Sequence, residues 1–190
     1  DQRLPLVLGI GGNNTQAILE QLDHTNFEGI NAILSVAPYY NKPTQNGLIA
    51  HFEAIAQQSP LPVILYNVPG RTSSNLTAAS TLRLARQHQN IIAIKEASGN
   101  FEQIMEIIAN KPAHFNVISG DDALTFPLIA LGASGVISVA ANALPKAFST
   151  MVRSALQGDM EAARKMHYHM MPIINLLFKE GNPAGAKALL

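Results

Sequence analysis

The feature that most constrains this chain is a repeated alternation. Short runs of Val, Ile and Leu, apolar on both faces, are each followed by a longer amphipathic stretch. A strand that is apolar on both faces must be covered on both, which is the condition of a parallel sheet. The runs fall at 6–10, 32–37, 63–67, 91–96, 116–119 and 136–139. Helical spacing fits 15–22, 47–57, 78–87, 101–109, 123–131 and 146–156. Thr77 and Asn100 stand where helix N-caps belong, and Gly158 stands where a helix should stop. The pattern predicts an α/β fold of about six consecutive βα units.

Two architectures use such units: an open doubly wound sheet, and a (β/α)8 barrel that needs eight units and about 250 residues. Here a strand pattern begins close behind Asp1, and Leu190 falls within a helical pattern after the turn Gly181-Asn182-Pro183. The expectation is therefore an incomplete (β/α)8 TIM barrel over residues 1–158, cut at both ends. The start of a C-terminal helical region follows over 159–190.

Composition narrows the function. Of 190 residues 47% are apolar, enough to build a core and to exclude wholesale disorder. A formal charge of zero leaves no electrostatic footprint for nucleic acid or anionic lipid. Without cysteine there is neither a disulfide framework nor a thiolate metal site. The charged fraction, 14%, is low against about 25% in typical domains, which points to subunit contacts. Residues 123–145 carry no charge, but Pro127, Gly132, Gly135, Asn142 and Pro145 interrupt them. A buried helix followed by a buried strand is expected there rather than a membrane span. LPLVLGIGG lacks a basic n-region and a cleavage site, so a cytoplasmic protein is expected.

Three segments can carry chemistry. In IIAIKEASGN, Lys95 follows four apolar residues. Burial would strip its ammonium of water and lower its pKa, and a neutral amine can attack a carbonyl to form an imine. Equally, Lys95 could end its strand, snorkel to solvent and pair with Glu96. In ILYNVPGRT, Tyr66 ends an apolar run and Arg71 sits five residues on, beyond Pro69 and Gly70. A phenol can relay protons and a guanidinium can grip a carboxylate; the alternative is a core tyrosine and a surface arginine. In APYYNKP, the adjacent Tyr39 and Tyr40 point in opposite directions, which suits either a pocket or an interface. Other candidates fail. GIGGNNT has Asn14 where GxGxxG needs its last glycine, and His167 and His169 diverge on a helix. Of Asp121 and Asp122, one is needed as a helix N-cap. No metal and no cofactor are expected.

APYYNKPTQNG, YNVPGRT, IKEASGN, VISGDDA and GVISVAAN, in this order and spacing, resemble the dihydrodipicolinate synthase (4-hydroxy-tetrahydrodipicolinate synthase) family of pyruvate-dependent class I aldolases. The resemblance covers essentially the whole chain and implies barrel units three to eight. It implies Lys95 as the lysine that condenses with pyruvate, Tyr66 as the proton shuttle beside the imine, and Tyr40 as the tyrosine inserted into a neighbouring subunit's relay. Arg71 would hold the carboxylate of aspartate semialdehyde, and the backbone at Gly120 and Ile137 would line the pyruvate pocket. Asn13 and Tyr39 would belong to a lysine-feedback and dimer-contact region, where Ala17 replaces an expected acidic residue and predicts weak feedback. The implied product is 4-hydroxy-tetrahydrodipicolinate, on the route to diaminopimelate and lysine, and the implied assembly is a homotetramer, a dimer of dimers. The family's linking threonine pair and first two strands lie upstream of Asp1, so the chain alone is expected to be inactive. The competing readings are a sister aldolase, of the N-acetylneuraminate lyase or 2-keto-3-deoxygluconate aldolase type, and a non-catalytic protein that keeps only the fold.

Overall fold

A computed structural model describes residues 3–190. Two compact units divide the chain, Asp1–Val117 and Ile118–Leu190. In the first, strands β1 (Val7–Gly9), β2 (Ala32–Val36), β3 (Val63–Asn67) and β4 (Ile91–Glu96) alternate with helices. These are α1 (Thr15–His24), α2 (Gln45–Gln58), the one-turn α3 (Pro69–Thr72), α4 (Ala78–Gln87) and α5 (Phe101–Asn110). The four strands pair in parallel and in chain order. A doubly wound sheet reverses its strand order at a switch point; successive neighbours are instead the signature of a barrel arc.

Helices α1, α2, α4 and α5 begin where a side chain takes up an orphan N–H. Asn14, Thr44, Thr77 and Asn100 accept from the backbone nitrogens of Ala17, Gly47, Ser80 and Gln103. Ile33, Val63, Leu65, Ile91 and Ile94 are buried on the sheet, with Leu48, Phe52, Ile55, Leu84, Ile104 and Ile107 buried on the helices. Helix α3 falls where only a loop was expected. Pro69 supplies the fixed φ of a first helical position, and Ser73 ends the turn in the left-handed region at φ 57°.

The second unit holds β5 (Asn116–Ser119) from Ile118 onward, a 3-10 turn (Asp122–Leu124), α6 (Thr125–Ala130), β6 (Gly135–Val136), a second 3-10 turn (Ala140–Asn142), α7 (Pro145–Leu156), α8 (Met160–Lys179) and α9 (Ala184–Leu189). Two expectations change here. The helix expected over 123–131 starts only at Thr125, which leaves Pro127 in the first turn, where its missing N–H costs no hydrogen bond. The strand expected over 136–139 is cut to Gly135–Val136, because Asp122 draws the amides of Val139 and Ala140 out of the ladder. Helix α7 stops before Gly158, which takes φ 86°, as a left-handed cap requires. Helix α8 lays Met170, Ile174 and Leu177 against Phe148 and Met151 of α7. Among the described residues no helix is long and apolar enough to cross a membrane.

Candidate active site

Register decides what faces what. Residues directly opposite one another in a parallel pair share a face, and Val36, Tyr66 and Lys95 form one rung across β2, β3 and β4. Lys95 Nζ lies over the Tyr66 ring, 4.1 Å from its centroid. Both side chains are half-buried. A cation is attracted to the negative face of an aromatic ring, so the contact holds the amine beside the phenol. Burial raises the Tyr66 pKa and the nearby Arg71 guanidinium partly offsets this, so near neutral pH the phenol keeps its proton.

A cavity of about 430 Å³ opens on this rung. Tyr66, Val68, Arg71 and Thr72 line it from β3 and α3, Leu34, Val36 and Tyr39 from β2 and its loop, and Gly9, Ile10 and Gly11 from β1 and its loop. A Cβ on Gly11 would come within 2.9 Å of Val36 N and Cγ1, so this wall tolerates no side chain there. Arg71 is exposed at its head, carried on the single turn that Pro69 starts. A phenol and a guanidinium lining a mostly apolar cavity, with an amine beside the phenol at the carboxyl ends of parallel strands, can bind and activate a small carboxylated carbonyl compound.

The remaining candidates are placed differently. Tyr39 lines the cavity, whereas Tyr40 projects away at 87% exposure with φ 73°. Asn13 is half-buried in the loop before α1 and its carbonyl accepts from Asn41 Nδ2 at 3.1 Å, while Ala17 is exposed on α1. In the second unit, Gly120 follows β5 and Ile137 follows β6; Ile137 N donates to Ser119 O at 3.0 Å, which brings the two strand ends together. Asp121 is the N-cap expected of one of the two aspartates and accepts from Ala123 N. Asp122 is buried, and its Oδ2 accepts from Val139 N at 3.1 Å and Ala140 N at 2.7 Å. Its desolvation raises the carboxyl pKa, against these hydrogen bonds and one from Ser138.

Sequence reasoning missed a polar cluster on the opposite side of the same strands. Glu96 is 1% exposed. It accepts from Asn67 Nδ2 at 3.1 and 3.2 Å, from Gln103 Nε2 at 3.2 Å and from Ser98 N at 2.8 Å. Asn67, fully buried, also accepts from Leu76 N at 2.9 Å, and Asn75 Nδ2 donates to Gln103 Oε1 at 2.9 Å. Burial pushes the Glu96 carboxyl up, and the bonds from Ser98, Asn67 and Gln103 pull it back. The signal available was an acidic residue at the end of an apolar strand, which reads equally well as a solvated strand end.

Parallel strands in chain order, with a lysine and a tyrosine on one rung at their carboxyl ends, define a (β/α)-barrel protein of the lysine-bearing type. The Dihydrodipicolinate synthetase family profile matches residues 1–190, and the chain belongs to that family. It is 60% identical over 188 residues to the 4-hydroxy-tetrahydrodipicolinate synthase of Parabacteroides distasonis and 57% identical to that of Phocaeicola vulgatus; each match covers 99% of this chain. The chain spans 63% of the length of these relatives. The solved dihydrodipicolinate synthase of Aquifex aeolicus superposes with a TM-score of 0.94 at 42% identity, over 97% of this chain and 63% of that one. That of Cyanidioschyzon merolae, solved with lysine bound, gives a TM-score of 0.93 at 42% identity, over 97% of this chain and 62% of that one. The six βα units are thus part of a TIM barrel, followed by C-terminal helices.

Proposed function

We propose that this chain carries the condensing site of a 4-hydroxy-tetrahydrodipicolinate synthase, with Lys95 as the amine that captures pyruvate. The observation that carries the reading is the rung on which Lys95 Nζ stands 4.1 Å from the Tyr66 ring centroid, beside the cavity that Arg71 borders. The Lys95 ammonium first gives up a proton to solvent; the free amine attacks the pyruvate ketone to give a carbinolamine, and loss of water gives the imine. Removal of a methyl proton gives the enamine, whose carbon adds to the aldehyde of aspartate semialdehyde. The substrate's own amine then closes the ring and displaces Lys95, which leaves as the free amine. Tyr66, its phenol kept protonated, serves as the donor nearest the reacting nitrogen. Arg71 pairs with the carboxylate of the incoming aldehyde.

Tyr40 fits a role in trans, since it is 87% exposed, where a second copy could receive it. The assembly is a homo-oligomer built around this contact, and the activity belongs to a protein of the relatives' full length. The 190 residues alone turn over little, because the segments that complete the pocket are not among them. Within the chain, residues from Met160 onward begin the C-terminal helical region. The relatives favour this reading over that of a sister aldolase.

The test is covalent capture. The chain, completed with the flanking segments of the Parabacteroides distasonis relative, is treated with pyruvate and borohydride, and its peptides are mapped by mass. A reduced pyruvate adduct on the Lys95 peptide, absent from Lys95→Ala, is expected. An adduct elsewhere, or none, refutes the reading.

A further inference from the structure

The strand that carries Lys95 does not choose its own face. In IIAIKE every residue before Lys95 is apolar, so alternation alone leaves open whether Lys95 or Glu96 points into the cavity. The ladder between β3 and β4 shows how close the choice is. Val63 lies opposite Ile91, but the next residue, Ile64, lies opposite Ala93, so Ile92 is an extra residue in β4. Such a bulge shifts the phase of everything beyond it by one residue. Beyond it, Tyr66 meets Lys95 and Asn67 meets Glu96. Without it, Tyr66 would stand opposite Ile94, and Lys95 would be carried to the rung of Asn67.

We infer that the cluster of Asn67, Glu96 and Gln103 is the register lock that sets Lys95 on the Tyr66 rung beside the cavity, and that Glu96 is a positioning residue for it. Glu96 is held from three elements: Asn67 of β3, Gln103 of α5 and the backbone of Ser98 after β4. Asn67 is tied in turn to Leu76 N at the entrance to α4. Slipped by one residue, β4 would withdraw the carboxylate and bring the Lys95 ammonium to Asn67 and Gln103, whose amide oxygens already accept from Leu76 N and Asn75 Nδ2. Each buried donor left without an acceptor costs about 1–3 kcal/mol, and burial of an unmatched charge costs more. The bulge makes the in-register arrangement geometrically possible, and the carboxylate makes it the cheaper one. The inference deepens the reading of Lys95 as the reacting amine; its test does not depend on that reading.

The chain contains no cysteine, so a single introduced thiol reports without background. Lys95→Cys, made in the 190-residue chain, is labelled with iodoacetamide and its rate measured by mass. Adding Glu96→Leu, which removes the carboxylate that joins Asn67, Gln103 and Ser98 N and orphans the last of them, is expected to slow labelling about tenfold or split it into two phases. Glu96→Gln, milder should the leucine variant not fold, faces Gln103 with a donor and is expected to slow labelling less. Combining Glu96→Gln with Gln103→Glu moves the carboxylate across the same contact and is expected to restore the rate to within about threefold, since the pairing is remade. A folded Glu96→Leu chain that labels at the parent rate overturns the inference, and so does a slowed variant that the exchanged pair fails to rescue. Labelling needs no pyruvate, so failure to capture pyruvate at Lys95 would leave this result standing, and the reverse holds as well.

Discussion

On the proposed reading, Arg71 is exposed and still specific. Its guanidinium rides on a single helical turn whose start Pro69 sets and whose end Ser73 sets, so its approach to the cavity is fixed although its head is wet. In the completed enzyme, Arg71→Ala is expected to raise KM for aspartate semialdehyde about tenfold or more, the worth of one charge-assisted bond, while pyruvate capture by Lys95 stays intact. Steady-state kinetics with each substrate varied, alongside borohydride trapping, would check the split. Two buried histidines, His51 and His167, have pKa values lowered by burial and carry an acid-side pH dependence of the same sign; His51 is the better placed to test. It is buried at the α1–α2 contact, its Nδ1 2.8 Å from Thr15 Oγ1, and burial lowers its pKa from 6.5 to about 4. The folded state therefore resists a proton that the unfolded chain accepts, so this stability is complete above pH 6.5 and is lost as pH falls toward 4. Glu96 and Asp122, whose carboxyl pKa values are raised, act with the opposite sign: they favour the folded state more as they become protonated. Replacing His51 with Gln is expected to remove up to about 3 kcal/mol of acid-side destabilisation across this window. Urea unfolding of both proteins from pH 7 down to pH 4 would measure it, and parallel slopes would contradict the assignment.

At the scale of elements, the helices were legible because their determinants are local. Caps at Thr77 and Asn100 and the stop at Gly158 follow from side-chain oxygens and a left-handed glycine that need only neighbouring residues. The ends of β3, β4 and β5 were legible too, but that of β6 was not, because what stops it comes from elsewhere. Asp122, seventeen and eighteen residues before its partners, takes the Val139 and Ala140 amides and ends β6 at Val136. Asp122→Ala is expected to cost about 2–4 kcal/mol, since it orphans two amides. Chemical denaturation should show it, with Asp122→Asn losing less because one acceptor oxygen remains. An alanine variant as stable as the parent would mean that water or a local shift satisfies both amides. The same reasoning covers Glu96, whose role depends on Gln103 seven residues on and Asn67 twenty-nine residues back.

At the scale of the whole molecule, β1 pairs with β2 on one side, and Leu4, Leu6 and Val7 around it are 64%, 54% and 46% exposed. An exposed apolar strand edge is a template for pairing with another chain. The 190-residue chain is expected to self-associate with rising concentration, and Val7→Lys, a charge on that edge, to reduce it. Light scattering across a concentration series would test this; a chain that stays monomeric at high concentration would show the edge to be protected. Read as a sequence, the chain determined its βα repeat, its helix caps and the three residues Lys95, Tyr66 and Arg71 that border one cavity or its rung, because periodicity and short motifs are properties of neighbours along the chain. The choice between Tyr39 and Tyr40 as the one that lines the cavity was left to the structure. Which of Lys95 and Glu96 faces inward, where β6 stops and what Asp122 binds were settled only by tertiary structure. Those outcomes depend on hydrogen-bond partners distant in sequence, and a buried polar group has no preferred direction until its partners have been brought to it.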